Sequence, residues 1–529
     1  MKGEILFLVL MTLFLGVSET ARILVLHPMY AASHVLTLRA LAKALVGQGH
    51  QVEVIRWKDE HDYPRENSPN ITEHVLAINN TDGSIPHLTV EERASFLMPQ
   101  SLMWNKGTSW TALPVDAFLT IDAFCRTLLD SEPLITSLKH KDFDVAIVDL
   151  IYNECSLGLA HKLGLPSIGY WAFTFAGGEP QYTTAFSPPS SVPFILSHYE
   201  DDMSFSQRAF NHFLAISSHI VMQVQFFVAN NNIQKYLPGT SHPSSLLANL
   251  SGLLINAHPS VDYPRLLPPS FINVGGMQIH QPKPLPDDLE EFIVGSGDAG
   301  IVLFTMGFIF NSRVVPASTM KAFMGAFGRL NQRVLVKLEG EYLNPPSNVK
   351  VVKWLPQQDI LAHPKTRLFF THCGMHGVIE ALHYGIPMVG MPVFADQDDV
   401  LVRLKKKGVA VGVSKNADEE TIYNAIIEVL NNPKYKENAI SLSKIIRDNS
   451  QHPLDQALWL VNHVINTKGA EHLKFASRHL NIVQFFGLDV FSFFIFIFYF
   501  ITFHLVPKTK RIFWSLMRSY QRRSKAKIT

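Results

Sequence analysis

Two patterns of apolar positions alternate along most of this chain: short continuous runs, and stripes that repeat every three or four residues. Arg22–Leu26 is such a run, and His27-Pro28-Met29 breaks it. Val35, Leu38, Leu41, Ala42 and Leu45 then share one face of a helix, with Ser33 placed to cap its start and Gly47 and Gly49 to end it. Val52–Ile55 begins a second run. Run, stripe and run make a β–α–β unit, which predicts a parallel sheet with helices on both faces. Phe143–Val148 continues the series and delivers Asp149, and Leu253–Asn256 reads as the last strand of this first domain. From Trp171 to Phe227 the chain is rich in aromatics and proline, which predicts long loops and a helical insertion over a cleft. Phe271–Gly276 leads to Pro282, Pro284 and Pro286, an extended linker. The alternation then restarts with Ile301–Phe304, Arg333–Leu338, Val349–Lys353 and Arg367–Phe370. Val490–Val506 belongs to neither pattern. It is apolar on every face and carries no Asp, Glu, Lys or Arg, which predicts a membrane-spanning helix.

Length and composition narrow this picture. The 529 residues suffice for two or three domains, and 47% hydrophobic against 17% charged residues makes a chain greasier than most soluble proteins. A net charge of +1 gives no reason to expect a nucleic-acid partner. The three cysteines, Cys125, Cys155 and Cys373, form no disulfide framework; Cys125 and Cys155 would pair only if they met in space, and buried free thiols are the expectation. Trp104, Trp110, Phe118 and Phe124 either fill the first core or line an apolar pocket.

The ends assign a compartment. Ile5–Leu15, after Lys2 and before Ser18-Glu19-Thr20, reads as a signal peptide. Three sequons, at Asn70, Asn79 and Asn249, agree with a lumenal body. Eight Lys and Arg residues between Lys508 and Lys527, with no acid among them, put the tail in the cytosol. Lys525 and Lys527 resemble the dilysine signal that returns type I membrane proteins to the endoplasmic reticulum. The expected location is therefore the endoplasmic reticulum membrane, crossed once.

The densest chemistry lies between Trp354 and Gln397. The run Arg367–Phe370 passes into Thr371-His372-Cys373-Gly374-Met375-His376-Gly377. A helical stripe of Val378, Ala381 and Leu382 follows, with Gly385 and Pro387 as stops. Strand, glycine turn and helix N-terminus together receive phosphate: free N–H groups point at the anion and the helix dipole favours its charge. Trp354 is placed to stack on a base, Gln357 to bond its edge and Glu380 to take ribose hydroxyls, while Asp396 and Gln397 lie where a sugar beyond the phosphates would be held. In the first half, His34 follows the first strand and Asp149 a later one, so both reach the sheet edge where such folds bind ligands. An imidazole there takes a proton from a hydroxyl, and a carboxylate on its other nitrogen fixes the tautomer.

The ordered set from Trp354 to Gln397 resembles the signature of the UDP-glycosyltransferases, the family that includes the vertebrate UDP-glucuronosyltransferases and their invertebrate and plant relatives. The resemblance implies a GT-B architecture: α/β, two Rossmann-like doubly wound domains facing a cleft, here with a C-terminal transmembrane helix. It divides the chain into a signal peptide (1–20), an acceptor-binding domain (21–278), a linker (279–297), a UDP-sugar-binding domain (298–465), a return helix (466–484), the span (485–506) and a basic tail (507–529). It implies that His34 is the general base and Asp149 its partner. It also implies that Arg265 lies near the diphosphate, and that the turn binds through Thr371, His372, Gly374, His376 and Gly377. Three positions depart from the family pattern: Phe308 stands where a Ser is usual, His376 where Asn or Ser is usual, and Cys373 where Gly is commoner.

The expected activity is inverting transfer of a glucosyl or glucuronosyl group from a UDP-hexose to a hydroxyl of a small lipophilic acceptor. The donor is a co-substrate, no cofactor is needed, and homo-oligomerisation is left open. No metal is expected: Asp396-Gln397-Asp398 spells a DxD but sits where sugar contact is favoured, and His372 with His376 lacks a ligand cluster. The rival from another class is a lumenal lipid- or ligand-binding protein on the same fold, which Phe308 and His376 favour. A nicotinamide enzyme would need Gly-x-Gly-x-x-Gly after a first strand, which neither half supplies.

Overall fold

The computed structural model describes residues 20–27, 32–57, 68–76, 104, 114–174, 177, 182–183, 187–307, 315–338, 340 and 342–525. All but the last residue of the expected signal peptide, the Asn79 sequon, Trp110, Phe308 and Lys527 lie outside them. The chain forms two compact units, Met1–Lys474 and Phe475–Thr529.

The first unit is built on two sheets. Strands β1 (Arg22–His27), β2 (Gln51–Trp57), β3 (Ile71–Leu76), β4 (Val145–Asp149), β5 (Ser167–Trp171), β6 (Gly252–Ile255) and β7 (Phe271–Asn273) form the first, in the order 3-2-1-4-5-6-7. Strands β8 (Ile301–Thr305), β9 (Arg333–Lys337), β10 (Val349–Val352), β11 (Thr366–Thr371), β12 (Met388–Gly390) and β13 (Ala410–Gly412) form the second, in the order 10-9-8-11-12-13. Every pairing is parallel. Helices cover both faces of such sheets, so their strands read as unbroken apolar runs; β4 and β8 are buried along their whole length. The order reverses at β1/β4 and again at β8/β11, and ligands of doubly wound sheets bind at that point. Behind the second reversal Phe304, Phe323, Phe327 and Phe370 pack ring against ring, with Phe304 and Phe370 centroids 5.1 Å apart. They fix the height at which β8 and β11 release their loops.

Several expectations need correction. The first sheet does not end at β6: β7 adds a three-residue strand at its edge. The stretch from Gln456, expected to pack back across the first lobe, does so in helix Pro453–Asn466. There Asn462 bonds His50 and Gln48, and Leu460 packs so closely on Gly252 that a Cβ there would lie 2.8 Å from it. Ser33 does not cap from outside, because the helix Ala32–Gly47 already includes it; its carbonyl accepts the Thr37 hydroxyl at 2.8 Å. Trp104 leaves the first half altogether and is buried in the core of the second lobe, whereas Phe124 packs on Trp57 in the first. Cys125 and Cys155 are not free thiols. Helices Pro114–Leu129 and Glu154–Lys162 bring their Cα atoms to 5.4 Å and the sulfurs are bonded, leaving Cys373 as the buried free cysteine.

The insertion between β5 and β6 contains the 32-residue helix Phe205–Tyr236, opened by a reciprocal cap between Ser204 and Gln207. Phe213, Ile216, Ile220, Val224 and Phe227 line its exposed face.

In the second unit, helix Leu488–Phe500 continues through a π-helical turn, Ile501–Leu505, into helix Val506–Lys525. Leu488–Arg523 is long and apolar enough to cross a membrane, with a mean hydropathy of 2.1 over its most apolar stretch. The helix thus runs past residue 506, where the span was expected to end, and carries the basic residues from Lys508 to Lys525.

Candidate active site

Parallel pairing sets Leu26 of β1 beside Val148 of β4, so the residues that end these strands emerge side by side. His34, third in helix Ala32–Gly47, puts Nδ1 2.7 Å from Asp149 Oδ2. His27, the last residue of β1, puts its own Nδ1 3.0 Å from the same oxygen. All three side chains are buried. Burial alone would raise the Asp149 carboxyl. The charge attraction of His34 and the bonds from both imidazoles more than reverse this and hold it well below the usual carboxylate range. Asn153 steadies the same corner by donating to the Asp149 carbonyl at 2.7 Å.

In the second lobe β11 ends at Thr371, whose hydroxyl accepts the Cys373 N–H at 3.3 Å. Cys373 takes a left-handed φ of 66°, which turns the chain sharply into Gly374 and helix Met375–His383. The His372 ring lies between Gly374 and Gly307: a Cβ on Gly374 would collide with its Nε2, and one on Gly307 would sit 3.0 Å from its Cε1. Glycine at both places lets two loops close on one imidazole. Burial, and then the Lys337 charge, lower His372 to about 4, and its Nδ1 has no hydrogen-bond partner among the described residues. Gly377 packs on Gln357 and Phe369, with 3.3 Å between a would-be Cβ and Gln357 Nε2.

His376, second in helix Met375–His383, crosses the cleft. Its Nε2 is 3.0 Å from the Tyr170 hydroxyl, and Asn256 Nδ2 is 3.2 Å from its Nδ1. Its ring lies 6.0 Å from that of His34. Burial, followed by the neighbouring His34, lowers His376 to about 3, while burial and then Asp149 push the Tyr170 phenol well up. The neutral phenol donates and the neutral imidazole accepts. The base candidate of one lobe and the phosphate-type turn of the other therefore face each other.

Glu380, one helical turn on, is buried, and burial raises its carboxyl above the ordinary value. Gln357 Nε2 donates to one of its oxygens at 2.7 Å and Gln278 Nε2 to the other at 3.1 Å. Trp354, just after β10, is 62% exposed, a large apolar ring open to a ligand. Asp396 occupies the N-cap position of helix Gln397–Lys406 without a side-chain cap bond; burial raises it to about 7, and its Oδ2 has no partner among the described residues. Gln397 spends its carbonyl oxygen on the Val393 and Phe394 N–H groups, at 2.8 and 2.9 Å. Arg265 bonds Asp262 at 2.9 Å, and Arg403 from the second lobe takes the same oxygen at 2.8 Å. The arginine expected at the diphosphate is thus engaged in an ion cluster between the lobes. Asp399 reinforces that seam by accepting the Leu196 and His198 N–H groups at 2.7 and 2.8 Å.

Sequence reasoning overlooked His27, Tyr170, Asn256, Gln278 and Asp399. His27 was legible as the last residue of a strand, Tyr170 and Asn256 as polar side chains at the ends of β5 and β6. Gln278 and Asp399 carried no signal. Among the described residues no group of three or more His, Cys, Asp and Glu is arranged to hold a metal ion.

Residues 21–523 match the family described as UDP-glucoronosyl and UDP-glucosyl transferase. The chain belongs to that family. It is 33% identical to human UDP-glucuronosyltransferase 1A10 over 90% of this chain and 89% of that one. It is 31% identical to UDP-glucosyltransferase 2 of Dactylopius coccus over 93% of each. Among solved structures, spinosyn forosaminyltransferase SpnP superposes with a TM-score of 0.54 at 17% identity, covering 84% of this chain and 99% of the other, a likeness of fold. This UDP-glycosyltransferase thus has the two-lobed GT-B architecture, with His34 and Asp149 on one side of the cleft and the Thr371–Gly377 turn on the other.

Proposed function

We propose that this transferase moves a glucosyl or glucuronosyl group from a UDP-sugar to a hydroxyl of a small lipophilic acceptor, with inversion. The observation that carries this is the meeting of the lobes: His34, paired with Asp149 at 2.7 Å, stands 6.0 Å ring to ring from His376 on the phosphate-type helix terminus. With Asp149 holding Nδ1–H, His34 Nε2 carries no proton and takes one from the acceptor hydroxyl. The hydroxyl oxygen then bonds the anomeric carbon from the face opposite UDP. The old carbon–oxygen bond breaks, and its electron pair leaves with the diphosphate. Amides at the start of helix Met375–His383, with His372, hold the charge that develops there, usually the largest catalytic contribution. Glu380, Gln357 and Trp354 take the nucleoside, and Asp396 with Gln397 the sugar; Arg265 contributes through the Asp262 cluster beneath them. The lobes closing on each other keep water from competing as acceptor.

With UDP-glucose and UDP-glucuronic acid offered against phenols and steroid alcohols, one donor should release UDP only when an acceptor is present. The product's anomeric coupling should report a β-linkage from the α-linked donor. An α-linked product would rule out direct displacement.

The body is proposed to lie in the lumen of the endoplasmic reticulum, anchored by the C-terminal helix. The Cys125–Cys155 bond supports this, because such bonds persist in oxidising compartments. Thiol labelling of unreduced, denatured enzyme taken from cells should modify Cys373 alone; labelling of all three cysteines would place the body in the cytosol.

A further inference from the structure

β1 is apolar from Ile23 to Leu26 and then ends on a buried histidine. A histidine there has a cost. His27 Nε2 has no hydrogen-bond partner among the described residues, and leaving a buried polar atom unpaired is destabilising. What it gains is Asp149. An ionised carboxylate only accepts, so when His27 and His34 both bond Oδ2, each donates from Nδ1. Both rings are then the Nδ1–H tautomer, lying 6.1 Å apart and tilted by only 22°. The other oxygen, Oδ1, has no partner among the described residues, so the carboxylate's direction is set by the two imidazoles alone.

The surroundings keep His27 neutral. It lines a small enclosed cavity of about 10 Å³ together with Arg39 from helix Ala32–Gly47, Arg56 from β2 and Glu73 from β3. Glu73 pairs with both guanidiniums, at 2.9 and 3.1 Å. Burial first, and then His34 and Arg56, lower the His27 imidazole against the pull of Asp149. Among the described residues, the charged or titratable groups facing His34 are Asp149, His27, Tyr170 and His376.

We propose that His27 is a positioning residue that divides the Asp149 carboxylate between two imidazoles and so sets the pH at which His34 becomes a competent base. A carboxylate oxygen already accepting one N–H is a weaker partner for a second. It attracts the His34 imidazolium less and lets that ring stay unprotonated at lower pH. Removing the His27 donor concentrates Asp149 on His34, favours the imidazolium and moves the acidic limb of the rate profile upward. This inference rests on the proposed role of His34 as the base.

The test compares pH profiles of kcat/KM for wild type, His27→Phe, His27→Asn and His34→Ala, with UDP affinity measured by calorimetry. His27→Phe should move the acidic limb up by about one pH unit, which lowers the rate on that limb by up to about tenfold, with UDP affinity unchanged. His27→Asn keeps an amide N–H where Nδ1 was and should restore the wild-type limb. Coincident limbs for wild type and both His27 variants, or equal shifts in the two variants, would overturn the inference. Should His27→Phe fail to melt as a folded protein, His27→Gln replaces it. Its amide sits one methylene further out, so its limb should shift while that of His27→Asn does not; equal limbs would again refute the inference. Undiminished turnover by His34→Ala would instead refute the base assignment on which the inference rests.

Discussion

Replacing His34 with alanine should reduce turnover by about a thousandfold and leave UDP binding within about threefold of wild type, since positioned general bases supply roughly 10²–10⁴ in rate. The split follows from where the residue stands. His34 belongs to the first lobe and its polar partner is Asp149, whereas the groups proposed to bond UDP directly, Trp354, Gln357, Glu380 and the turn after Thr371, belong to the second. Asp149→Asn should do comparable damage by a different route. Its amide would present a donor as well as an acceptor to two N–H groups that need an acceptor, so the imidazoles would reorient or change tautomer, and His34 would no longer offer a free Nε2 to the cleft. Initial-rate UDP release and calorimetry with UDP measure the two effects separately. If the alanine variant kept its rate, proton removal would have to be assigned elsewhere; if it lost UDP binding instead, the lobes would not be dividing the work.

Most of the architecture was legible because parallel strands covered on both faces leave an unbroken apolar signature. The runs opening at Arg22, Val52, Ile301 and Arg333 all became strands at or within a residue of the expected starts. The misses have one physical cause. β7 has only three residues and owes its pairing to β6, so no local periodicity announces it. Trp104 fills a core whose other members lie some two hundred residues or more further along the chain. The Cys125–Cys155 bond depends on two helices lying side by side, which three cysteines without a spacing pattern cannot foretell.

The candidate site divides along the same line. Residues inside the Thr371–Gly377 turn were readable because turn, glycine and helix start are local chemistry. His27 looked like a strand breaker because its meaning lies in Asp149, 122 positions away, reached through the β1/β4 register. Gln357 and Glu380 were assigned to different parts of a nucleoside, yet their side chains bond each other directly. One group thereby orients the other, so that in the proposed site the nucleoside would meet both as a unit.

That coupling makes Glu380→Ala the second large effect, of the opposite kind to His34→Ala. Glu380 accepts from Gln357 and Gln278 on its two oxygens, and in the proposed site its remaining lone pairs receive the ribose hydroxyls. Hydrogen bonds to a charged group contribute about 1.5–3 kcal/mol each, and each 1.4 kcal/mol is a factor of ten in affinity. Losing the equivalent of one such contact should therefore weaken UDP binding by about 10- to 150-fold. Two glutamine amides left without their acceptor add to the damage. Turnover at saturating donor should fall far less, because the anomeric carbon and His34 are untouched. Glu380→Gln should fall between, since it keeps one carbonyl oxygen but meets two amide donors with an amide of its own. Calorimetry with UDP and saturation kinetics with the preferred donor distinguish these outcomes. The polar contacts described for Glu380 and for His34 have no residue in common, so losses in kcat/KM should add in free energy when the two substitutions are combined. A marked departure from additivity would mean that nucleoside binding and proton removal are linked through closure of the lobes, with the His376–Tyr170 bond, which spans the cleft beside both, as the first place to look for the link.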